Sequence, residues 1–241
     1  MTDALPAKIP ITSIANITFH DVEDELNSFY VIESSRPLRT INSSMWGEGL
    51  GWHSRLMNRQ VDRNYLCDDP LAEMHDFMRE RGIGVEDTAA LLTAARVQDR
   101  GYSKQCSASG LTVCTWATVG LSNKARAGSV RNVDELFPGT INLITIIDGT
   151  LTDAAMVNAV ITATEAKAAA LQDANIRLHD SEELATGTTT DAVLIAATQK
   201  GPSYRYAGTA TQLGYCIGKT VYDAVQFSLK CYEAWQQSKR N

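Results

Sequence analysis

Residues 140–147 read Thr-Ile-Asn-Leu-Ile-Thr-Ile-Ile, and residues 192–197 read Ala-Val-Leu-Ile-Ala-Ala. Apolar runs this short and this continuous are the pattern of strands covered on both faces. They demand a layered fold, with apolar cover above and below one sheet. The chain supplies candidates for that cover. Thr152 or Asp153 can cap a long helix reaching about residue 174. Residues 211–235 repeat Leu213, Ile217, Val221, Val225, Leu229 and Tyr232 at helical spacing.

The earlier part of the chain reads as more sheet. Residues 16–22 and 29–33 are β-prone and flank a polar turn at 23–27, and residues 38–45 suggest a third strand of an antiparallel meander. Alternating glycines predict an irregular stretch over 46–52. Asp69 and Pro70 open a helix that Gly82 closes, with Leu71, Met74, His75 and Met78 on one face. A short helix over 86–92 and a strand over 111–119 follow. No repeat, low-complexity tract or linker divides the chain. The expected architecture is one α+β (mixed α/β) domain over residues 1–241, with helices packed on a largely antiparallel or mixed β-sheet.

The charge balance narrows the function classes. Lys and Arg number 22 against 28 Asp and Glu, a net charge of −6. Nucleic acid and anionic membrane are disfavoured as partners, because both ask for a positive field. No apolar run approaches the roughly 20 residues of a membrane span. The five cysteines are odd in number and hold no CxxC pair, and the first ten residues show no leader pattern. A reducing, cytoplasmic compartment is expected. The four histidines never pair at i, i+4, so no metal site is built locally, although distant ligands could converge. GxSxG, Walker and Rossmann fingerprints are all missing.

Four segments carry polar residues that secondary structure alone does not require. Residues 120–128 leave a strand between two glycines; Asn123 could orient an amide there and Arg126 could hold a carbonyl or phosphate. Residues 139–142 place Asn142 inside an apolar strand, where an unpaired amide costs about 1–3 kcal/mol. A structural hydrogen bond explains Asn142 equally well. The Gly139-Thr140 step before a strand is also found in self-cleaving N-terminal threonine hydrolases, without any accompanying pattern here. Residues 162–167 put Glu165 one turn from Ile161, Ala168 and Ala169, on an apolar small-residue face that would pair it or tune it as an acid or base. Lys167 falls on a different face. Residues 185–191 gather small hydroxyls around Gly187, a candidate oxyanion nest, with Asp191 a second candidate base at a strand mouth.

Taken in order, these pieces resemble the adenosylcobinamide amidohydrolase family. The resemblance runs through Ser43-Ser44 and the 47–51 glycine loop, Asn58 and Val61, Thr93-Ala94-Ala95, Gly120-Leu121-Ser122-Asn123 and Gly139-Thr140-Ile141-Asn142. It continues through Thr162-Ala163-Thr164-Glu165-Ala166-Lys167, the 185–192 segment and the 206–214 segment. It covers about residues 38–230, and the paired segments 162–167 and 185–192 are its most specific part. The 47–51 loop departs from the family pattern, with Gly47-Glu48-Gly49 where an Asn-Gly-Gly step is expected.

The resemblance implies hydrolysis of the amide joining a corrin side chain to aminopropanol in adenosylcobinamide. The products would be adenosylcobyric acid and 1-amino-2-propanol, in corrinoid salvage. Glu165 and Asp191 are then the acid/base candidates. Ser44, Gly49, Asn58, Asn123, Arg126, Asn142, Lys167, Thr188 and Thr189 are the substrate-binding candidates. No cofactor is expected, since the corrinoid is substrate. Trp46, Trp52 and Trp116 could offer flat surface to it. Two alternatives stay open: a non-catalytic corrinoid-binding module, and an amidase for a non-corrin substrate acting through Thr140 or Ser44. Homo-oligomerisation also stays open.

Overall fold

The structure, a computed structural model, describes residues 9–10, 14–23, 27–129 and 139–239. In chain order the elements are β1 (Ile9–Pro10), β2 (Ile17–Val22), β3 (Phe29–Asn42), β4 (Gly49–Gln60), α1 (Pro70–Glu80), β5 (Thr88–Thr93), β6 (Gly101–Cys106) and β7 (Thr112–Val119). There follow β8 (Lys124–Ala125), β9 (Ile141–Asp148), β10 (Thr150–Leu151), α2 (Asp153–Asp173), β11 (Gly187–Thr188), β12 (Ala192–Ala197), β13 (Ser203–Tyr204) and α3 (Gln212–Ser238).

The two apolar runs are β9 and β12, which pair in parallel at the centre of the main sheet, Ala192 opposite Asn142. That sheet runs β1-β2-β3-β12-β9-β7-β6, with β4 and β5 joined beyond β3. Most pairs are antiparallel; β4 with β5 is parallel like β9 with β12. The architecture is therefore α+β with a mixed sheet, as the sequence predicts.

The sheet doubles back on itself. β3 pairs with β2 through its first half and with β12 through its last four residues, and its register against β4 shifts between Glu33 and Leu38. Such an irregularity bends a strand and raises its twist. One apolar cluster accordingly joins Tyr30, Ile32, Leu56 and Leu91 from β3, β4 and β5 to Trp116, Ile144, Ile146 and Leu194 from β7, β9 and β12. Outside this sandwich, α2 and α3 cover the β7–β9–β12 face, with Met156, Ala163, Ile217 and Val221 against Val113, Leu143 and Ile195. On the opposite outer face α1 lays Met74, Phe77 and Met78 on Phe29, Val31 and Met57. The order of layers is helix, sheet, sheet, helix. Both faces of β9 are covered, which is why seven of its eight residues are buried.

Four expectations are corrected. Residues 29–33 and 38–45 are not successive strands of a meander: Phe29–Asn42 is one strand with an irregularity between Glu33 and Leu38. Residues 86–92 are not a helix: Thr88–Thr93 is a strand, because pairing with Arg55–Gln60 sends Leu91 and Ala90 into different clusters. Tertiary pairing overrides local propensity here. Residues 49–52 are regular, the start of β4 opposite Arg39–Asn42. On α1 the buried stripe is Met74, Phe77 and Met78, with Leu71 exposed and His75 half-buried. The Asp69 cap holds, its carboxylate accepting from Ala72 N at 3.0 Å. The 23–27 turn lies largely outside the described residues.

Candidate active site

Parallel pairing puts the entrances of β9 and β12 side by side, so Thr140 and Asp191 become neighbours. The two entrances are cross-linked by hydrogen bonds. The Thr140 hydroxyl donates to the Thr190 carbonyl at 2.6 Å, and the Thr190 hydroxyl donates to the Gly139 carbonyl at 2.6 Å. Asp191 Oδ1 accepts from Ile141 N at 3.0 Å. The same carboxylate accepts from Thr188 N at 3.1 Å and from the Thr188 hydroxyl, closing the 188–191 turn.

Lys167 completes the cluster from α2. Its ammonium contacts Asp191 Oδ2, with side-chain exposures of 7% for Lys167 and 12% for Asp191. Gly187 makes room for the pair. A Cβ there would lie 2.7 Å from Lys167 Nζ and closer still to Asp191 Oδ2. The glycine of that segment is thus required by the approach of two charged groups.

The 120–128 loop forms the next shell. β8 pairs with β11, Lys124 opposite Thr188. Asn123 is buried and donates from Nδ2 to the Thr189 hydroxyl at 2.6 Å. That leaves the O–H of Thr189, an exposed residue, to be given elsewhere. Arg126 donates to the Leu184 carbonyl at 2.9 Å and sits 3.7 Å from Glu183, bracing the 183–189 loop. Burial pulls the Lys124 ammonium below its ordinary range.

A cleft of about 440 Å³ opens beside the two strand entrances. Thr140, Thr190 and Asp191 lie on one side, and Ser44, Met45 and Trp46 on another. The Ser44 hydroxyl donates to the Ala90 carbonyl at 2.6 Å. Tyr65, also on the wall, donates to Glu73 at 3.1 Å; burial, then its contacts with Cys67 and Glu73, push its phenol well above the ordinary range.

The structure therefore brings together Asp191, Lys167, Thr188, Thr189, Asn123 and Arg126, from three of the four polar segments, with Lys167 on the core-facing side of the helix. Asn142 and Asn58 lie just behind, fully buried between the sheet layers. Asn142 Nδ2 donates to Asn58 Oδ1 at 2.8 Å and to the Leu92 carbonyl at 2.9 Å. Asn58 Nδ2 donates to Thr118 at 3.1 Å and Tyr30 at 3.3 Å. These asparagines support the site from inside the core. Two residues are not brought to the cluster. Glu165 is exposed on the outer side of α2, not on its apolar face, because the face turned to the core carries Thr162, Ala163 and Lys167. Gly49 opens β4 opposite Asn42, exposed and with φ +68°.

The expected backbone nest is not formed by the N–H groups of Thr186, Thr188 and Thr189. They are spent on Ala125 O, Asp191 and Asn123 O. Trp116 is 4% exposed and stacks at 6.1 Å on Phe19, so it is core; Trp52 is exposed, and Trp46 is buried on the cleft wall. Sequence reasoning did not select Thr190, Ser43 or Tyr65. Thr190 stands within the 188–190 hydroxyl run, but nothing in the sequence distinguishes it from its neighbours. Among the described residues no three His, Cys, Asp or Glu side chains gather as metal ligands.

The family model for adenosylcobinamide amidohydrolase matches residues 13–237. The chain belongs to the adenosylcobinamide amidohydrolase family. The adenosylcobinamide amidohydrolase of Halobacterium salinarum is 30% identical over 214 residues, covering 85% of this chain and 86% of that protein. The one from Methanosarcina mazei is 29% identical over 187 residues, covering 73% and 82%. Among solved structures, a Burkholderia β-aminopeptidase superposes with a TM-score of 0.50 at 11% identity, over 94% of this chain and 89% of that one. A Pyrococcus horikoshii protein gives 0.50 at 10% identity, over 95% and 88%. At such identities these two structures speak for the fold, and family membership rests on the sequence match.

Proposed function

We propose that the cleft over Thr140 and Asp191 binds adenosylcobinamide and hydrolyses the amide between its corrin side chain and aminopropanol. The products are adenosylcobyric acid and 1-amino-2-propanol. One observation carries the placement. The specific family segments 162–167 and 185–191 meet as a buried Lys167–Asp191 pair whose Asp191 lines the cleft.

The negative charge that amide hydrolysis develops has candidate stabilisers. An amide carbonyl gains negative charge on attack, and a cation in a poorly hydrated site stabilises that charge strongly. Lys167 supplies the cation. The Thr189 hydroxyl, oriented by Asn123, supplies a neutral donor. Asp191 fixes the ammonium while its other hydrogen bonds, from Ile141 N and Thr188, fix the turn. The apolar rim residues Met45 and Trp46 suit the edge of a large ring. No helix among the described residues is long and apolar enough to cross a membrane. The five free cysteines fit a reducing compartment, and we place the activity in the cytoplasm.

Product identification tests this reading. Purified protein incubated with adenosylcobinamide, with and without a chelator, should yield cobyric acid and aminopropanol by mass spectrometry. Recovery of the corrinoid intact would overturn the catalytic reading and favour a binding module.

A further inference from the structure

Among the described residues that line it, the cleft shows no free base beside a nucleophile. None of the four histidines is on its wall. Asp191 already receives Ile141 N, Thr188 N, the Thr188 hydroxyl and Lys167. Asp62 is exposed and accepts from Asn64 N in its own turn at 2.7 Å. Tyr65 is committed to Glu73.

Thr140 is set to supply what is missing. It is 3% exposed and lies on the cleft wall, where its hydroxyl is held by the Thr190 carbonyl at 2.6 Å. The Gly139 carbonyl oxygen already accepts the Thr190 hydroxyl at 2.6 Å, the kind of donor an oxyanion needs. The Thr140 carbonyl accepts from Gly120 N at 2.9 Å, and the next amide, Ile141 N, is held by Asp191. Gly139 is wedged so closely that a Cβ would lie 3.0 Å from Ser122 N and would collide with Asn123 Oδ1. An immobilised glycyl carbonyl next to a buried hydroxyl is a geometry in which attack within the chain is favoured by proximity.

We infer that the chain cleaves itself between Gly139 and Thr140, and that the released Thr140 is the nucleophile of the amide hydrolysis. The second half rests on the proposed amidohydrolase function; the first does not. In the first step Thr140 Oγ1 bonds to the Gly139 carbonyl carbon, the C–N bond breaks, and the hydroxyl proton passes to the Thr140 nitrogen. The product is an ester of Gly139 on the Thr140 hydroxyl, with a free α-amine. Water hydrolyses that ester, giving a Gly139 carboxylate and restoring the hydroxyl. The new α-amine, whose ordinary pKa of about 7.7–8.0 suits base catalysis near neutrality, sits on the same residue as its hydroxyl. In turnover it takes the hydroxyl proton as Oγ1 attacks the substrate amide, then passes it to the departing aminopropanol nitrogen. Water then releases the corrinoid acid.

Mass spectrometry of the purified wild-type chain, fresh and after incubation at several pH values, decides the first half without any variant. The expected result is two fragments, the second beginning at Thr140. A chain that stays whole under all these conditions, or splits elsewhere, overturns the inference. Thr140→Ser should still split at the same bond. Thr140→Ala should remain one chain and lose turnover by about 10³-fold or more. A whole chain that hydrolyses adenosylcobinamide refutes self-cleavage and leaves the amidohydrolase reading standing. A chain split at Thr140 that leaves adenosylcobinamide intact does the reverse.

Discussion

Lys167, on the buried face of α2, and Asp191, the residue before β12, meet as an ion pair in the space left by Gly187. One charge comes from a helix and the other from a strand entrance, so the pair also ties the helical layer to the sheet edge. Removing one partner of a buried pair costs about 3–5 kcal/mol, since the other charge is stranded. Lys167→Met should therefore lower the denaturation midpoint clearly. It should also reduce turnover per folded molecule by about 10²-fold or more, in line with loss of an oxyanion-stabilising donor. Lost stability with unchanged turnover of the folded fraction would reduce Lys167 to a structural tie.

Gly187→Ala tests the same pair without removing a charge. The added methyl displaces the ammonium, the carboxylate or both. Misplacing a catalytic group by about 1 Å costs on the order of 10²-fold. The steady-state rate should fall chiefly in kcat, because the rim that holds the ring is untouched. An unchanged kcat would show that the pair tolerates movement.

Glu165→Gln is expected to do little. The side chain is exposed, away from the Lys167–Asp191 cluster, and surface changes of this kind usually stay within about 0.5 kcal/mol. Turnover within about threefold of wild type is the expected reading. A drop of 10²-fold would return Glu165 to the acid/base role.

His53 gives a pH-dependent contribution to stability. Burial pushes its imidazole below the ordinary value of 6.5, with the Asp87 charge opposing. Its Nδ1 lies 2.7 Å from the Thr40 hydroxyl. In the unfolded chain the ring takes up a proton more readily than in the folded one. The contribution is therefore fully present above about pH 6.5 and is lost as pH falls through the lower folded value. Chemical denaturation at pH 7.5 and near pH 5 should show a larger loss for wild type than for His53→Gln. Equal losses would remove His53 from the account.

Much of the fold is legible in the sequence. The runs at 140–147 and 192–197 named the central strands, and the caps at Asp69 and Thr152 named two helix starts, because these signals are local. The 86–92 segment failed for the opposite reason. Its strand state comes from Arg55–Gln60, some thirty residues away, and nothing within Ala-Ala-Leu-Leu announces that partner. In the site, four polar segments were recognisable as segments. The choice between Glu165 and Lys167 was not, because composition around a helix position does not say which face the sheet covers. Nor could sequence show that the hydrogen bonds of residues 186–189 are spent internally, which depends on β8 lying alongside β11.

β3 belongs to both layers of the sandwich, pairing with β2 before its irregularity and with β12 after it. Neither layer can come away while the other stays whole, since each would have to surrender the same strand. Loss of structure at the outer face under α1 and loss at the cleft should then coincide in one transition. The scaffold holding Thr140 against Asp191 is thereby tied through one strand to the layer under α1, and the strand entrances cannot loosen on their own.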